Sequence, residues 1–234
     1  MKPTLSKIFE EARAQGKDVL DEPAAKRVLS AYGLAVPRGV SVAPGGKPGL
    51  DGLSGPYAAK LISSDASHKS DVGGVHLGLA DASAACAAVR ELEALARGKN
   101  LQLDGVLVEE MAPPGVELVV GGVIDPRFGP VLMLGLGGVF VEIFGDIAFR
   151  VCPIDRRDAE EMIDELRGAP LLRGARGRKP VDENRIVEAL LAVGGEGGLL
   201  PELEQEIAEL DINPLIVSSA AALACDARIV LSGK

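Results

Sequence analysis

Residues 21–33, DEPAAKRVLSAYG, place apolar side chains at Ala25, Val28, Leu29 and Tyr32. That spacing lines one face of a helix. Asp21 stands where an N-cap is wanted, and Pro23 lies in the first turn, where a missing N–H costs little. Gly33 ends the pattern. Two apolar runs then read as strands, GVSVA and PYAAKLI, joined by the turn-rich PGGKPGLDGLSGP, which reads as an exposed loop. GVHLGL is a third strand. DASAACAAVRELEALARG is the clearest helix, opened by Asp81 and closed by Gly98. GVLVEEM, ending at Met111, is a fourth strand.

The APPG at 112–115 breaks the pattern. Beyond it VELVVGGVI, PVLMLGLGG and IAFRVCPI read as strands, and DRRDAEEMIDEL and DENRIVEALLAV as helices. GGEGGLLPELEQE reads as a polar connection. IAELDINPLIV and ALACDARIVL close the chain as two strands. The expected division is an N-terminal extension at 1–20, a first lobe at 21–111 and a second lobe at 112–234. The fold class is α+β, in two lobes.

Composition narrows the function classes. Aromatics are 3% of the 234 residues and tryptophan is absent, so the core rests on Val, Leu, Ile and Ala. The 29 glycines exceed the average of roughly 7% and mark tight turns and close backbone approaches. A net charge of −9 disfavours nucleic acid, whose phosphates attract basic surfaces. Cys86, Cys152 and Cys225 are widely spaced and odd in number, which fits buried thiols in a reducing cytoplasm. The start of the chain is too polar for a signal peptide, and no run of about 18 apolar residues exists to span a membrane.

Familiar nucleotide signatures fail. GLGGVF has Phe140 where a dinucleotide fingerprint needs glycine, and GGKP has proline after the lysine of a would-be phosphate loop. A serine-hydrolase triad lacks its G-x-S-x-G. Other residues are better candidates, each with two open readings. Glu209, Asp211 and Asn213 share one side of a strand, and a hairpin with the last strand would bring Asp226 beside Asn213. These oxygen ligands suit Mg²⁺ held partly by phosphates; the other reading is a polar strand face with a turn at Asn213-Pro214. Lys60 stands inside an apolar strand, where a cation needs a partner such as a phosphate oxygen, or else snorkels outward. Glu109, Glu110 and Met111 end a strand at the lobe boundary, where main-chain groups could meet a purine, with Glu117 on the ribose hydroxyls. The other reading is an ordinary connection with surface acids. The run DPRFGPVLMLGLGGVFVEIFGDIAFR carries Glu142 and Asp146 among its glycines, either close to a ligand or in a tightly packed sheet. RGARGRKP, at 173–180, is either an anion site or a solvated loop.

The ordered runs YGLAVP, AAKLISSDASHKSDVGGV, VLVEEM with GVELVVGGVIDPRFGPVLMLGLGGVFVE, LRGARG, and ELDINPLIV with CDARI resemble the β subunit, or ATP-grasp half, of ADP-forming acyl-CoA synthetases. That family includes the ADP-forming acetate–CoA ligases and is distantly similar to the succinyl-CoA synthetase β subunit. The resemblance covers roughly residues 20–231. It implies an ATP-grasp fold, two lobes enclosing a nucleotide, and the exchange of acyl-CoA + ADP + phosphate with acid + CoA + ATP.

The resemblance also implies roles for particular residues. Lys60 falls on the nucleotide phosphates, Glu109, Glu110 and Met111 at the adenine hinge, and Glu117 on the ribose. Asn213 and Asp226 fall on Mg²⁺. Gly73 and Gly74 fall in a mobile loop over the phosphates. The resemblance implies a phosphohistidine in the α part that relays the phosphoryl group, and His68 falls on a second phosphoryl carrier on the ATP-grasp side, with Asp71 able to orient its ring. A neutral imidazole is a competent nucleophile near neutral pH. His76, in an apolar strand, reads as packed. The cofactors implied are ATP or ADP with Mg²⁺. The chain length leaves no room for a CoA-binding Rossmann-type domain, so an α-type CoA-binding subunit is expected as a separate chain, in a hetero-oligomer, bringing most of the CoA and carboxylic acid pockets. The alternative is a non-catalytic nucleotide-sensing module of a larger acyltransferase or synthetase complex.

Overall fold

The computed structural model of the chain describes residues 3–65, 69, 71–138, 145–177 and 179–233. These form two compact units, residues 37–112 and residues 1–36 with 113–234.

The smaller unit is a four-stranded antiparallel sheet with one helix. Strands β2 (Gly39–Val42), β3 (Tyr57–Ile62), β4 (Val75–Leu79) and β5 (Gly105–Glu110) are ordered β2-β5-β3-β4. Helix α3 (Ala82–Gly98) starts where the Asp81 side chain accepts the N–H of Ala84 at 2.9 Å, as its sequence pattern requires. Its Ala85, Ala88, Val89 and Leu92 pack on Tyr57, Ala59, Leu61, Val106 and Val108. Strand side chains alternate between faces, so Ala58, Lys60, Ile62, Leu107 and Glu109 point away from α3. In the loop between β2 and β3, the buried Glu93 carboxylate accepts the N–H of Gly45 at 2.7 Å.

The larger unit is built on a seven-stranded antiparallel sheet. Its strands are β1 (Val19–Leu20), β6 (Val116–Asp125), β7 (Gly129–Leu136), β8 (Ile147–Val151), β9 (Ile207–Val217), β10 (Ala222–Ala224) and β11 (Ala227–Leu231). The order is β1-β11-β9-β6-β7-β8, with β10 also paired to β9. Helices α2 (Glu22–Ala31), α4 (Arg156–Glu165), α5 (Ala169–Leu172), α6 (Glu183–Gly194) and α7 (Leu199–Glu202) accompany the sheet. Leu118 and Val120 of β6, Leu132 and Leu134 of β7, and Leu210 and Ile212 of β9 join the helices in the main core. The caps are local: Asp21 accepts from Ala24 N–H on α2, and Asp155 and Asp158 form a reciprocal capping box on α4.

Three expectations are corrected. The first twenty residues are not an extension. Helix α1 (Pro3–Ala14) buries Leu5, Ile8, Phe9 and Ala12 in the main core, and Val19 and Leu20 pair with Val230 and Ile229. Residues 21–36 belong with the larger unit rather than the first lobe, because Ala24, Ala25, Val28 and Leu29 of α2 bury in that same core. The last predicted strand is two, β10 and β11, interrupted at Cys225 and Asp226. The interruption lies opposite Pro214, which has no N–H to give the ladder; the N–H of Cys225 still donates to the Pro214 carbonyl at 2.9 Å.

Candidate functional site

In the larger unit the candidate residues lie on the sheet face opposite the core. On β9, Leu210 and Ile212 point into the core, so Glu209, Asp211 and Asn213 point the other way; the register against β6 shifts just beyond, and Leu215 is in the core again. β9 runs straight through Asn213-Pro214, where the peptide is cis, without the turn that Asn-Pro suggested. The N–H of Asn213 donates to the Asp226 carbonyl at 3.3 Å, and the next pair in register is Ile212 with Ala227. Asn213 is exposed and Asp226 half-buried. The Asp226 carboxylate also accepts the N–H of Ala227 at 2.8 Å. Glu209 is engaged otherwise, with Arg228 at 2.8 Å.

Glu117, on β6, is exposed on this same face. A side chain at Gly137 would crowd it: a Cβ there would lie 2.9 Å from the Glu117 Cβ, and the Gly137 N–H donates to the Glu117 carbonyl at 2.8 Å. Among the described residues no group of three or more His, Cys, Asp or Glu side chains is placed to hold a metal unaided. A carboxylate and an amide, on two residues joined through their backbones, are the hard oxygen donors that suit a Mg²⁺ bringing phosphate oxygens and water as its remaining ligands.

In the smaller unit Lys60 is buried and does not snorkel. Its Nζ lies 2.6 Å from Oε1 of Glu109, with both side chains under a tenth exposed, at 7% and 3%. Glu110 is held differently. Arg38 donates to both its carboxylate oxygens and the N–H of Ser54 to one of them, so the Arg38 guanidinium and the Ser54 N–H keep its carboxyl below the usual carboxylate range. The backbone N–H groups of Glu110 and Met111 donate to the carbonyls of Arg38 and Pro56 at 2.8 and 2.9 Å. The hinge amides are therefore engaged within the unit, and a purine there would meet other groups; the Met111 side chain is exposed.

His68 lies outside the described residues, and so does Glu142. The glycines after His68 have distinct structural tasks. Gly73 takes a φ of +77°, where a side chain would be strained. Gly74 is anchored, with its N–H donating to Lys69 O at 2.7 Å and its carbonyl accepting from Leu61 N–H at 2.8 Å. It also packs closely beside β3, where a Cβ would lie 3.2 Å from the Leu61 side chain. His76 is not packed: it is half-buried, and its Nδ1 lies 3.4 Å from a Glu91 carboxylate oxygen.

Two other candidates are engaged within the protein. Asp146 is buried and accepts the N–H groups of Arg167 and Gly168 at 2.7 and 2.8 Å, which makes it an anchor for the turn before α5. In the basic cluster, Arg173 is bound to Asp164 and Glu183. The three cysteines are free thiols. Sequence reasoning missed the side-chain role of Glu109. The sequence placed Lys60 in PYAAKLI and Glu109 in GVLVEEM, two apolar strand runs of one lobe, but carried no signal that these strands pair.

Comparison with known proteins gives this geometry a context. A family described as "ATP-grasp domain" matches residues 11–231. Acetate–CoA ligase [ADP-forming] I subunit beta of Pyrococcus furiosus is 40% identical, over 96% of each chain. Acetate–CoA ligase [ADP-forming] I of Archaeoglobus fulgidus is 38% identical over 88% of this chain, which spans 31% of that longer protein. A dinucleotide-forming acetyl-coenzyme A synthetase 1 of Ca. Korarchaeum cryptofilum, solved with coenzyme A and Ca-AMPCP, superimposes with a TM-score of 0.87 at 38% identity, covering 97% of this chain and 99% of that one. The same synthetase with coenzyme A and Mg-AMPPCP, its phosphohistidine segment pointing towards the nucleotide site, gives 0.80 at 37%, covering 97% and 100%.

Proposed function

This chain belongs to the ATP-grasp domain family, and from that membership we propose that it is the nucleotide-binding, β-type subunit of an ADP-forming acyl-CoA synthetase. The reaction exchanges acyl-CoA, ADP and phosphate for a carboxylic acid, CoA and ATP. The observation that carries the proposal is the juxtaposition of Asn213 and Asp226, two hard oxygen donors set opposite each other by strand register. They would hold a nucleotide-borne Mg²⁺, which when bound supplies positive charge against the phosphates.

Phosphoryl transfer needs positioning and charge neutralisation more than covalent help from the protein. In this reading Lys60 neutralises a phosphate oxygen, and Glu117 accepts from the ribose hydroxyls. Residues 109–111 contact the base, with Met111 offering apolar surface. Gly73 and Gly74 shape the end of the loop that follows His68. His68 takes the phosphoryl group: an imidazole nitrogen bonds to the γ-phosphorus as the bond to the bridging oxygen breaks and ADP departs. The reverse step makes ATP.

An α-type, CoA-binding chain completes the enzyme in this proposal, as a hetero-oligomer in which CoA and the carboxylic acid bind mainly to that partner. The name of the Pyrococcus relative and the one-third span of the Archaeoglobus protein support it. So does the exposed apolar strip Val123, Phe149 and Val151 on the open sheet face, since exposed apolar patches mark interaction sites. Among the described residues no helix is long and apolar enough to cross a membrane. Free thiols fit a reducing, cytoplasmic setting.

The test is purification of the chain with its native partner, identification of that partner by mass spectrometry, and assay of thioester formation across carboxylic acids with ATP and CoA. Acid-dependent acyl-CoA is the expected product. Mg-ADP binding by a complex that forms no thioester with any acid would instead make the chain a nucleotide-sensing module.

A further inference from the structure

Lys60 and Glu109 lie on neighbouring strands, on the face of the small sheet turned away from α3. Register pairs Lys60 with Leu107 and Ala58 with Glu109, so the ion pair runs diagonally between β3 and β5. The contact is 2.6 Å and both side chains are buried. Burying an ammonium and a carboxylate is expensive, and a pair of apolar side chains of like volume would hold such a sheet as well or better. The pair is therefore weak evidence for a stability role. A lysine is also a compact charge on a flexible stem, with no planar fork to fix its direction. A lysine that must meet a phosphate oxygen at one place needs a second group to hold it there.

We propose that the Glu109 carboxylate is the positioning residue for Lys60, fixing its Nζ where the nucleotide phosphate is neutralised. This rests on the nucleotide reading above and deepens it, since Glu109 then serves through its side chain as well as through its place at the strand end. Two opposed effects follow from its charge. Glu109 repels a nearby phosphate directly, and it favours phosphate binding through Lys60. The proposal is that the second effect wins.

The test is calorimetric titration of the full chain with adenosine and with Mg-ADP, for the wild type, Glu109→Gln, Lys60→Met and the double variant. Glu109→Gln should weaken Mg-ADP binding about tenfold, mid-range for coupling between groups in contact, and weaken adenosine binding far less. In the Lys60→Met background the same substitution should add nothing. Tighter Mg-ADP binding, unchanged binding, equal loss for both ligands, or a loss that persists without Lys60 would each overturn the proposal. Should the Gln variant fail to fold, Glu109→Asp keeps the charge one methylene back and is judged by the same ratio of the two ligands. A wild type that binds no Mg-ADP removes the nucleotide reading itself, and this proposal with it.

Discussion

Asn213 and Asp226 stand thirteen residues apart in sequence and opposite each other in the sheet, joined by the 3.3 Å hydrogen bond from the Asn213 N–H to the Asp226 carbonyl. The core residues Ile212 and Ala227 beside them fix the register, because a one-residue slip would turn the core side chains outward. Asp226→Ala should therefore leave the sheet in place and remove one metal ligand. Mg-ADP affinity should fall at least about tenfold, the loss of a hydrogen-bonding or ligating charged group. Titration with Mg-ADP measures it, and an unaltered affinity would move the metal site elsewhere.

His68 is assigned by chemistry and resemblance, so its test must separate transfer from binding. His68→Ala should abolish acquisition of label from γ-labelled ATP while Mg-ADP binds as in the wild type. Retained, acid-labile labelling of the variant would remove His68 from the mechanism. Loss of both would point to a structural role instead.

Much of this was legible in the sequence because it is periodic or local. The cap at Asp21, the helix opened by Asp81 and the two-residue alternation that gathers Glu209, Asp211 and Asn213 all depend on neighbours in sequence. The first helix was legible too: Leu5, Ile8, Phe9 and Ala12 repeat the spacing of 25, 28, 29 and 32, but a polar chain start drew attention to targeting signals instead. What sequence could not supply is partnership across strands. Lys60 looked like a cation awaiting a phosphate, and only the β3–β5 register shows Glu109 beside it. Asp146 looked available to a ligand until the N–H groups of Arg167 and Gly168, more than twenty residues on, occupied it.

Asp146 thus makes a stability prediction. Removing its carboxylate leaves two backbone donors at part-buried positions without that partner. Asp146→Ala should cost about 3 kcal/mol, the sum of two such losses. Urea unfolding measures it. A loss under about 1 kcal/mol would mean that water replaces the carboxylate and that the anchor is dispensable.

Cys152 gives a pH signature. Burial pushes its thiol up from the ordinary 9.0 to about 11, partly offset by a hydrogen bond from the Leu132 backbone. The folded state thus favours the neutral thiol, while the unfolded chain ionises it near 9. The contribution to stability is fully present below pH 9 and is lost as pH rises through the interval to about 11. Its size is at most about 3 kcal/mol for a shift of this order. Other groups titrate there as well, so the informative quantity is the difference between wild type and Cys152→Ala. The alanine variant starts less stable, because it gives up packing beside Gly194 and Leu132. That deficit should shrink between pH 9 and 11 as the wild type alone loses the thiol contribution. Parallel stability curves across the interval would show that Cys152 ionises as readily in the folded chain as in the unfolded one.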